Sequence, residues 1–409
     1  MVKFYKSLMW IAGLVGIGAA IVLCSCGPIK AFFEIEPYTG TKIIQQDIHT
    51  FDTTRKTVVI LASHKGTEIF DLLAPFELFS STGKLNVWIL APERQPIPLW
   101  KGAYLFPSMT LEEFDAKMIV PDLIAIPNIV DPNNPEIQRW LRKYGNQLTL
   151  SICEGARVVA ESQLYNNRSI LSHSSSIPQL KEKYKNMSWV TGRRYLQHNN
   201  LISTAGVSAA FEGALKAIEL LLHTDDMERI IQTYNYPYDV LDTEFNGRQI
   251  QWTDQLNILG KVVFSKNDRI LGILNDGISE LELAAVLDTY TRTFPQSLHT
   301  ITPTGQSSVV SKYGLQLFGT TSQITSPVDQ IHCFLNDQSP LIQSELANIP
   351  KRRNAQVLFY DQMTTTSFIL DVLMQQLQQN QSPGIVKFVS DTMEYPPNKQ
   401  VKSNGKSSR

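Results

Sequence analysis

One stretch of this 409-residue chain joins a reactive residue type to a geometry that would use it. Residues 148–160 read LTLSICEGARVVA. The β-prone run Leu148, Leu150, Ile152 leads to Cys153, and Glu154-Gly155-Ala156 turns into an apolar helical pattern. The expected element is a strand, a tight turn and a helix, with a cysteine at the corner. A residue at such a corner takes a strained backbone conformation and projects from the carboxyl edge of its sheet. The helix behind it aims its N-terminal amides and positive dipole end at that side chain, which favours thiolate over thiol. The other reading is a buried structural cysteine, because a free thiol packs like a small apolar residue. The stretch alone leaves both open.

The elements that would position this corner follow from hydrophobic patterning. Residues 56–63 (KTVVILAS) form a continuous apolar run, as in a strand buried on both faces. Asp71 opens the helical pattern DLLAPFELFSS, with Pro75 in its first turn. Residues 85–91 (LNVWILA) predict a second strand, 103–106 a hairpin-like segment, 111–114 a short helical turn and 122–127 (DLIAIP) a third buried strand. A helix over 134–144, the Cys153 elbow, a strand over 201–204 and a periodic closing helix over 208–222 complete the set. Strands alternating with helices predict an α/β fold, a doubly wound and mostly parallel sheet covered on both sides. Such sheets bind ligands at the carboxyl ends of their strands.

Hydrophobic residues make up 43% of the chain and charged ones 18%, a globular balance, and the length predicts more than one domain. A formal net charge of −1 gives no electrostatic reason to expect nucleic acid as a partner. Four cysteines are too few for a disulfide framework and lack zinc-type spacing. Neither a metal nor a cofactor is expected. Lys3 and Lys6 precede an uncharged apolar run over 8–26, enough helix to cross about 30 Å of hydrocarbon. The charges on either side, Glu34 and Glu36 following, put the N-terminus inside and the body outside the cytosol. A single-pass transmembrane anchor ranks first, a lipoprotein signal ending at Cys26 second and a cleaved signal last. Residues 1–33 are read as this segment, and 34–55 as a juxtamembrane spacer.

The order of these motifs resembles the ThiJ/PfpI family: an Asp-x-x-x-Pro helix, the DLIAIP strand, the cysteine elbow, ILSH at 170–173 and STAGVSAA before the closing helix. The resemblance covers residues 56–242, including TYNYPYD at 233–239, and is greatest to the version at the N-terminus of AraC-type regulators. It implies a class I glutamine amidotransferase-like, flavodoxin-like fold. The regulator function does not carry over, since no helix-turn-helix domain follows. It further implies that Cys153 is the elbow nucleophile, Asp71 the acid facing the sulfur and His173 a nearby histidine; by its chemistry His173 is a base, a residue that orients water, or a structural or exposed histidine. A carboxylate and a thiolate side by side repel, so one of them should hold the proton. Two departures stand out. The protease-like branch has His directly after the cysteine, where Glu154 stands here, so peptidase activity is disfavoured. Many members end the third strand in Gly-Gly, whose amides help form an anion pocket. Here Pro127-Asn128-Ile129 follows, so that pocket is expected to be altered or absent, unless the Asn128 side chain supplies a donor in its place. Gly206 of STAGVSAA is kept, and Gly155 permits the tight elbow.

The second half reads as a degenerate copy of the first. Aligning Gly66 with Gly277 places TEIFDLLAPFELF over ISELELAAVLDTY, Asp71 over Glu282 and Glu77 over Asp288. Pro92 then falls on Pro303, and Gly102 meets Gly314 one residue later. The gap before SFILDVLMQQL is too short for a second cysteine elbow, so Glu282 has no sulfur to address and Cys333 is a core residue. The expected domains are 56–245 and 268–390, with a linker over 246–267 and a disordered tail over 391–409. The two are expected to pack as an intrachain pseudo-dimer that shapes the Cys153 pocket. Two functions follow: a membrane-tethered cysteine-dependent hydrolase or hydratase acting on a small molecule, or a non-catalytic ligand-binding or redox-sensing module. A purely structural surface protein is the third reading.

Overall fold

The computed structural model describes residues 28, 32, 34–40, 51–100, 102–240, 243–249, 251–265, 267–360 and 364–396. The apolar run over 8–26 lies outside them. Among the described residues no helix is long and apolar enough to cross a membrane.

The first half runs β1 (Lys56–Leu61), α1 (Ile69–Ser81), β2 (Leu85–Ala91), the hairpin β3 (Ile97–Leu99) and β4 (Ala103–Leu105), β5 (Met109–Thr110), α2 (Leu111–Ala116), β6 (Leu123–Ile126), α3 (Pro135–Tyr144) and β7 (Leu148–Ser151). A 3-10 turn over Cys153–Gly155 leads into α4 (Ala156–Ser162). Then come β8 (Ser169–Ile170), α5 (Ile177–Lys183), β9 (Ser188–Trp189), β10 (Tyr195–His198), β11 (Leu201–Thr204), α6 (Ala210–Leu221) and α7 (Thr224–Thr233). The main sheet has the order β10-β11-β7-β6-β1-β2-β5, and β10 alone is antiparallel to its neighbour. Its strands β2-β1-β6-β7-β11 follow the flavodoxin order, which reverses between β1 and β6, and ligands bind at that switch point. Val58 and Ile60 join α1 and α6 in one core cluster, while Val59 and Leu61 join α2, α3 and α4 in another. The two-residue period of β1 therefore feeds both faces, as a buried parallel strand must.

The second half begins earlier than its sheet. Residues 246–267, expected as a linker, carry the helix α8 (Trp252–Phe264). After it come β12 (Arg269–Ile273), α9 (Glu280–Thr291), β13 (Ser297–Ile301), β14 (Val309–Val310), β15 (Gln316–Phe318), β16 (Val328–Cys333), α10 (Pro340–Asn348), β17 (Lys351–Phe359), α11 (Ile369–Asn380) and α12 (Pro383–Met393). Its parallel sheet, β13-β12-β16-β17, repeats the β2-β1-β6-β7 order of the first half. Cys333 lies fully buried in its core, as expected.

The halves are joined in three ways. β4 pairs with β15, Leu105 opposite Leu317, so both hairpins form one four-stranded sheet. Helices α1 and α9 share one hydrophobic cluster. The buried Glu77 of α1 also accepts from Ser279 Oγ and Leu281 N, both at 2.7 Å, so it caps the start of α9. Residues 391–396, expected as the start of a disordered tail, are part of the folded body, and 397–409 lie outside the described residues. Residues 391–393 end α12, and Glu394 and Tyr395 are buried against the first half, because polar partners there satisfy them.

Candidate functional site

The elbow forms as its sequence requires. Cys153 holds φ 51°, the left-handed region that non-glycine residues seldom occupy, between β7 and α4. Its amide donates to Thr204 Oγ1 at 3.2 Å and its carbonyl accepts from Ser172 Oγ at 3.0 Å. These bonds from the β8 and β11 edges hold the strained residue in place. Gly155 is forced by contact: a Cβ there would stand 2.1 Å from Ile126 O.

Cys153 lines a cavity of about 520 Å³ whose wall is mainly apolar. Glu68, Asn128, Glu154 and His173 line it from the first half; Asp288 and Arg292 line it from the second. Glu68 caps α1, accepting from Asp71 N at 2.6 Å. Asp71 lies just behind, fully buried, with Oδ2 accepting from Asn128 N at 3.1 Å and Oδ1 without a hydrogen-bond partner. The sequence singled out Asp71, yet the carboxyl group that the start of α1 puts on the cavity wall is that of Glu68. Burial, then the neighbouring Asp71 and Asp288 charges, push the Glu68 pKa well up. Burial raises the Asp71 carboxyl to about 7, against the Asn128 hydrogen bond and with Asp288 assisting.

The sulfur departs from expectation. Burial, followed by the carboxylates of Asp71, Glu154, Glu68 and Glu394, pushes the Cys153 thiol well above its ordinary value. Desolvation and acidic neighbours outweigh the amides of the short turn, so the resting group is a thiol and not the expected thiolate.

His173 is in the cavity wall but is not a free base. Its Nε2 donates to Thr392 O at 2.9 Å, and Nδ1 faces the Ser175 hydroxyl at 2.7 Å. A carbonyl can only accept, so Nε2 carries the hydrogen and Nδ1 accepts from Ser175. The ring braces α12 against the first half. Glu154 pairs with Arg157 at 3.2 Å and accepts from Ser176 Oγ, which directs it along the rim. Asn128 contributes its backbone to Glu68 and Asp71, while its side-chain Oδ1 is buried without a partner. Gly206 donates its amide to Glu394 Oε2, and a Cβ there would stand 2.7 Å from the Glu394 side chain.

Three contributors escaped the sequence reading because they come from the other half of the chain. Arg292 makes a two-pronged ion pair with Asp288, Nη2 to Oδ1 at 2.8 Å and to Oδ2 at 3.0 Å. Burial opposes the Arg292 charge, but Asp288 and then Glu68 outweigh it, and its pKa is raised. Arg292 Nη1 also donates to Thr392 O at 3.3 Å, the carbonyl that receives His173. Glu394 accepts from Ser174 N at 2.7 Å as well as from Gly206. Its backbone carbonyl accepts from Arg194, itself paired with Glu212. The one signal available in the sequence was the alignment that put Asp288 on Glu77. By that correspondence Asp288 faces the start of α1 as Glu77 faces the start of α9.

Residues 56–220 match the model of the DJ-1/PfpI family. No curated protein sequence matches the chain. Among solved structures, Drosophila melanogaster DJ-1beta is 19% identical and aligns over 45% of this chain and 100% of its own, with a TM-score of 0.41. Schizosaccharomyces pombe DJ-1 is 18% identical over 44% of this chain and 100% of its own, at 0.39. A ThiJ/PfpI family protein from Pseudomonas syringae is 17% identical over 63% of this chain and 96% of its own, at 0.42. On the family match, residues 56–220 are a DJ-1/PfpI family domain.

Proposed function

We propose that the chain is a cysteine-dependent enzyme acting on a small, uncharged and largely apolar carbonyl compound. The observation that carries this reading is the strained Cys153 at an apolar cavity beside two carboxyl groups with raised pKa values. The sulfur adds to the carbonyl carbon while the carbonyl π pair moves to oxygen. The thiol proton passes to the Asp71 carboxylate, while the protonated Glu68 carboxyl group on the cavity wall gives its proton to that oxygen and is reprotonated from Asp71. A carboxyl group near 7 suits this exchange, because both its forms are populated at neutral pH. Water then displaces the sulfur from the adduct: the C–S bond breaks, a C–O bond forms to give the geminal diol, and the proton released by the water returns Cys153 to the thiol. Among the described residues that line the cavity, the guanidinium of Arg292 is held by Asp288 and the other charged neighbours are acidic, which disfavours an anionic substrate.

A second reading, non-catalytic ligand binding, is favoured by the raised Cys153 pKa, which makes the resting sulfur a weak nucleophile. A panel of neutral aldehydes and ketones with short apolar chains separates the two. Turnover followed by NMR and lost in Cys153→Ala supports the enzyme. Binding without turnover, unchanged in Cys153→Ala, supports the binding module and ends the first reading.

The wider organisation belongs to the same reading. The second half is a degenerate copy of the first, a reading supported by its repeated strand order and by the 211-residue offset between the caps Glu68 and Ser279. The halves act as an intrachain pseudo-dimer, because Arg292 and Asp288 reach the Cys153 cavity. The run over 8–26 tethers the body to the cell membrane, outside the cytosol, on the strength of its length and flanking charges.

A further inference from the structure

Helix α8 carries apolar residues on two faces. Its inner face, with Gln255, Ile258 and Val262, lines the Cys153 cavity, and Leu259 at the border of the two faces both lines it and is part-exposed. Trp252, Leu256, Leu259 and Val263 recur at the spacing i, i+4, i+7, i+11, which on an α-helix is a single stripe. That stripe is exposed: Trp252 by 68%, Leu256 by 54% and Val263 by 50%, with Phe264 at the helix end exposed by 84%. These residues with Leu259 are five of the ten exposed large hydrophobics among the described residues. The two charged residues of the helix turn away from the stripe. Asp254 is buried, and Lys261 bonds to Gln381 Oε1 at 3.2 Å. An uncharged, contiguous apolar face of this kind marks a contact surface.

The place where Phe32 packs on the body indicates what covers it. The uncharged apolar run ends at Cys26, six residues before Phe32. The Phe32 ring stacks on Phe294 with centroids 4.8 Å apart, in the same cluster as Val262 and Ile258 of α8. The chain therefore reaches the described body at α8 itself. We propose that α8 lies flat on the lipid bilayer, with its outer stripe among the acyl chains and headgroups. Trp252 and Phe264 mark the two ends of this interfacial helix, a placement aromatic rings favour. The helix then separates the bilayer from the Cys153 cavity, and lipid-soluble ligands concentrate next to the pocket wall. This inference rests on the reading that residues 8–26 tether the chain to a membrane.

The test uses the full chain, with Leu256 or Val263 replaced one at a time by photoreactive p-benzoylphenylalanine and the exposed Met118 of the first half as control. The chain is mixed with vesicles of phosphatidylethanolamine and phosphatidylglycerol, checked by flotation, irradiated and analysed by mass spectrometry. The expected result is flotation with phospholipid adducts at 256 and 263 several-fold more abundant than at 118. Flotation with crosslinks to residues 8–26 or to a second copy, or with no excess of lipid adducts over 118, overturns the docking of α8 and leaves the tether standing. A chain that fails to float overturns both.

Discussion

Arg292 grips Asp288 with two prongs inside the cavity that Cys153 lines, and the elements that carry the pair and the cysteine lie in different halves of the chain. Arg292 neutralises one of several acids gathered there and ties α9 to Thr392 of α12. Breaking a buried pair leaves an uncompensated charge, which is worse than having no pair at all. Arg292→Met should therefore destabilise the chain by about 3–5 kcal/mol, and Asp288→Leu added to it should restore much of that loss. Urea denaturation of the two variants checks this. Equal stability of the single and double variants would remove the pair from the account.

The Asp71 carboxyl makes stability fall as pH rises. Its pKa goes from 3.8 to about 7 on folding, so the folded state binds the proton more tightly than the unfolded state. The stabilisation is fully present below pH 3.8 and is lost as pH climbs through 7. Asp71→Asn keeps an acceptor for Asn128 N and has no proton to lose, so this share of the pH slope should vanish. Denaturation midpoints between pH 4 and pH 8, wild type against variant, measure it.

Cys153 should react slowly with iodoacetamide at neutral pH, its rate still rising above pH 9, because burial and carboxylates hold the thiol. Removing the acids has a predictable direction. Asp71→Asn and Glu68→Gln should each shift the profile to lower pH. Rates of Cys153 alkylation followed by mass spectrometry report the shift, and a profile already flat at pH 7 in the wild type would contradict the burial argument.

Glu394 satisfies two backbone amides of the first half from the end of α12. In Glu394→Ala both donors lose their acceptor, at about 1–3 kcal/mol for the buried Gly206 amide and less for the half-buried Ser174 amide, which water can reach. Hydrogen exchange should quicken at Ser174 and Gly206 together with α12. Exchange confined to α12 would mean that the carboxylate does not hold the two loops.

The sequence by itself determined the elements whose signal is local. The apolar runs 56–63, 85–91 and 122–127 became β1, β2 and β6, and the Cys153 corner formed with its strained φ, because buried parallel strands and tight turns write themselves into neighbouring residues. The repeat offset also put Asp71 over Glu282 and Glu77 over Asp288, and the helix caps Glu68 and Ser279 proved to stand at the same offset. Only the tertiary structure decided the state of the sulfur. The helix-dipole argument for a thiolate is local, whereas the acids that defeat it include Asp71 from α1 and Glu394 from beyond α12. It likewise decided that His173 is a brace, since its partner Thr392 lies 219 residues away in sequence. Arg292, Asp288 and the inner face of α8 belong to the site for the same reason. Periodicity records which face of an element is buried, but which distant element buries it is settled by packing alone.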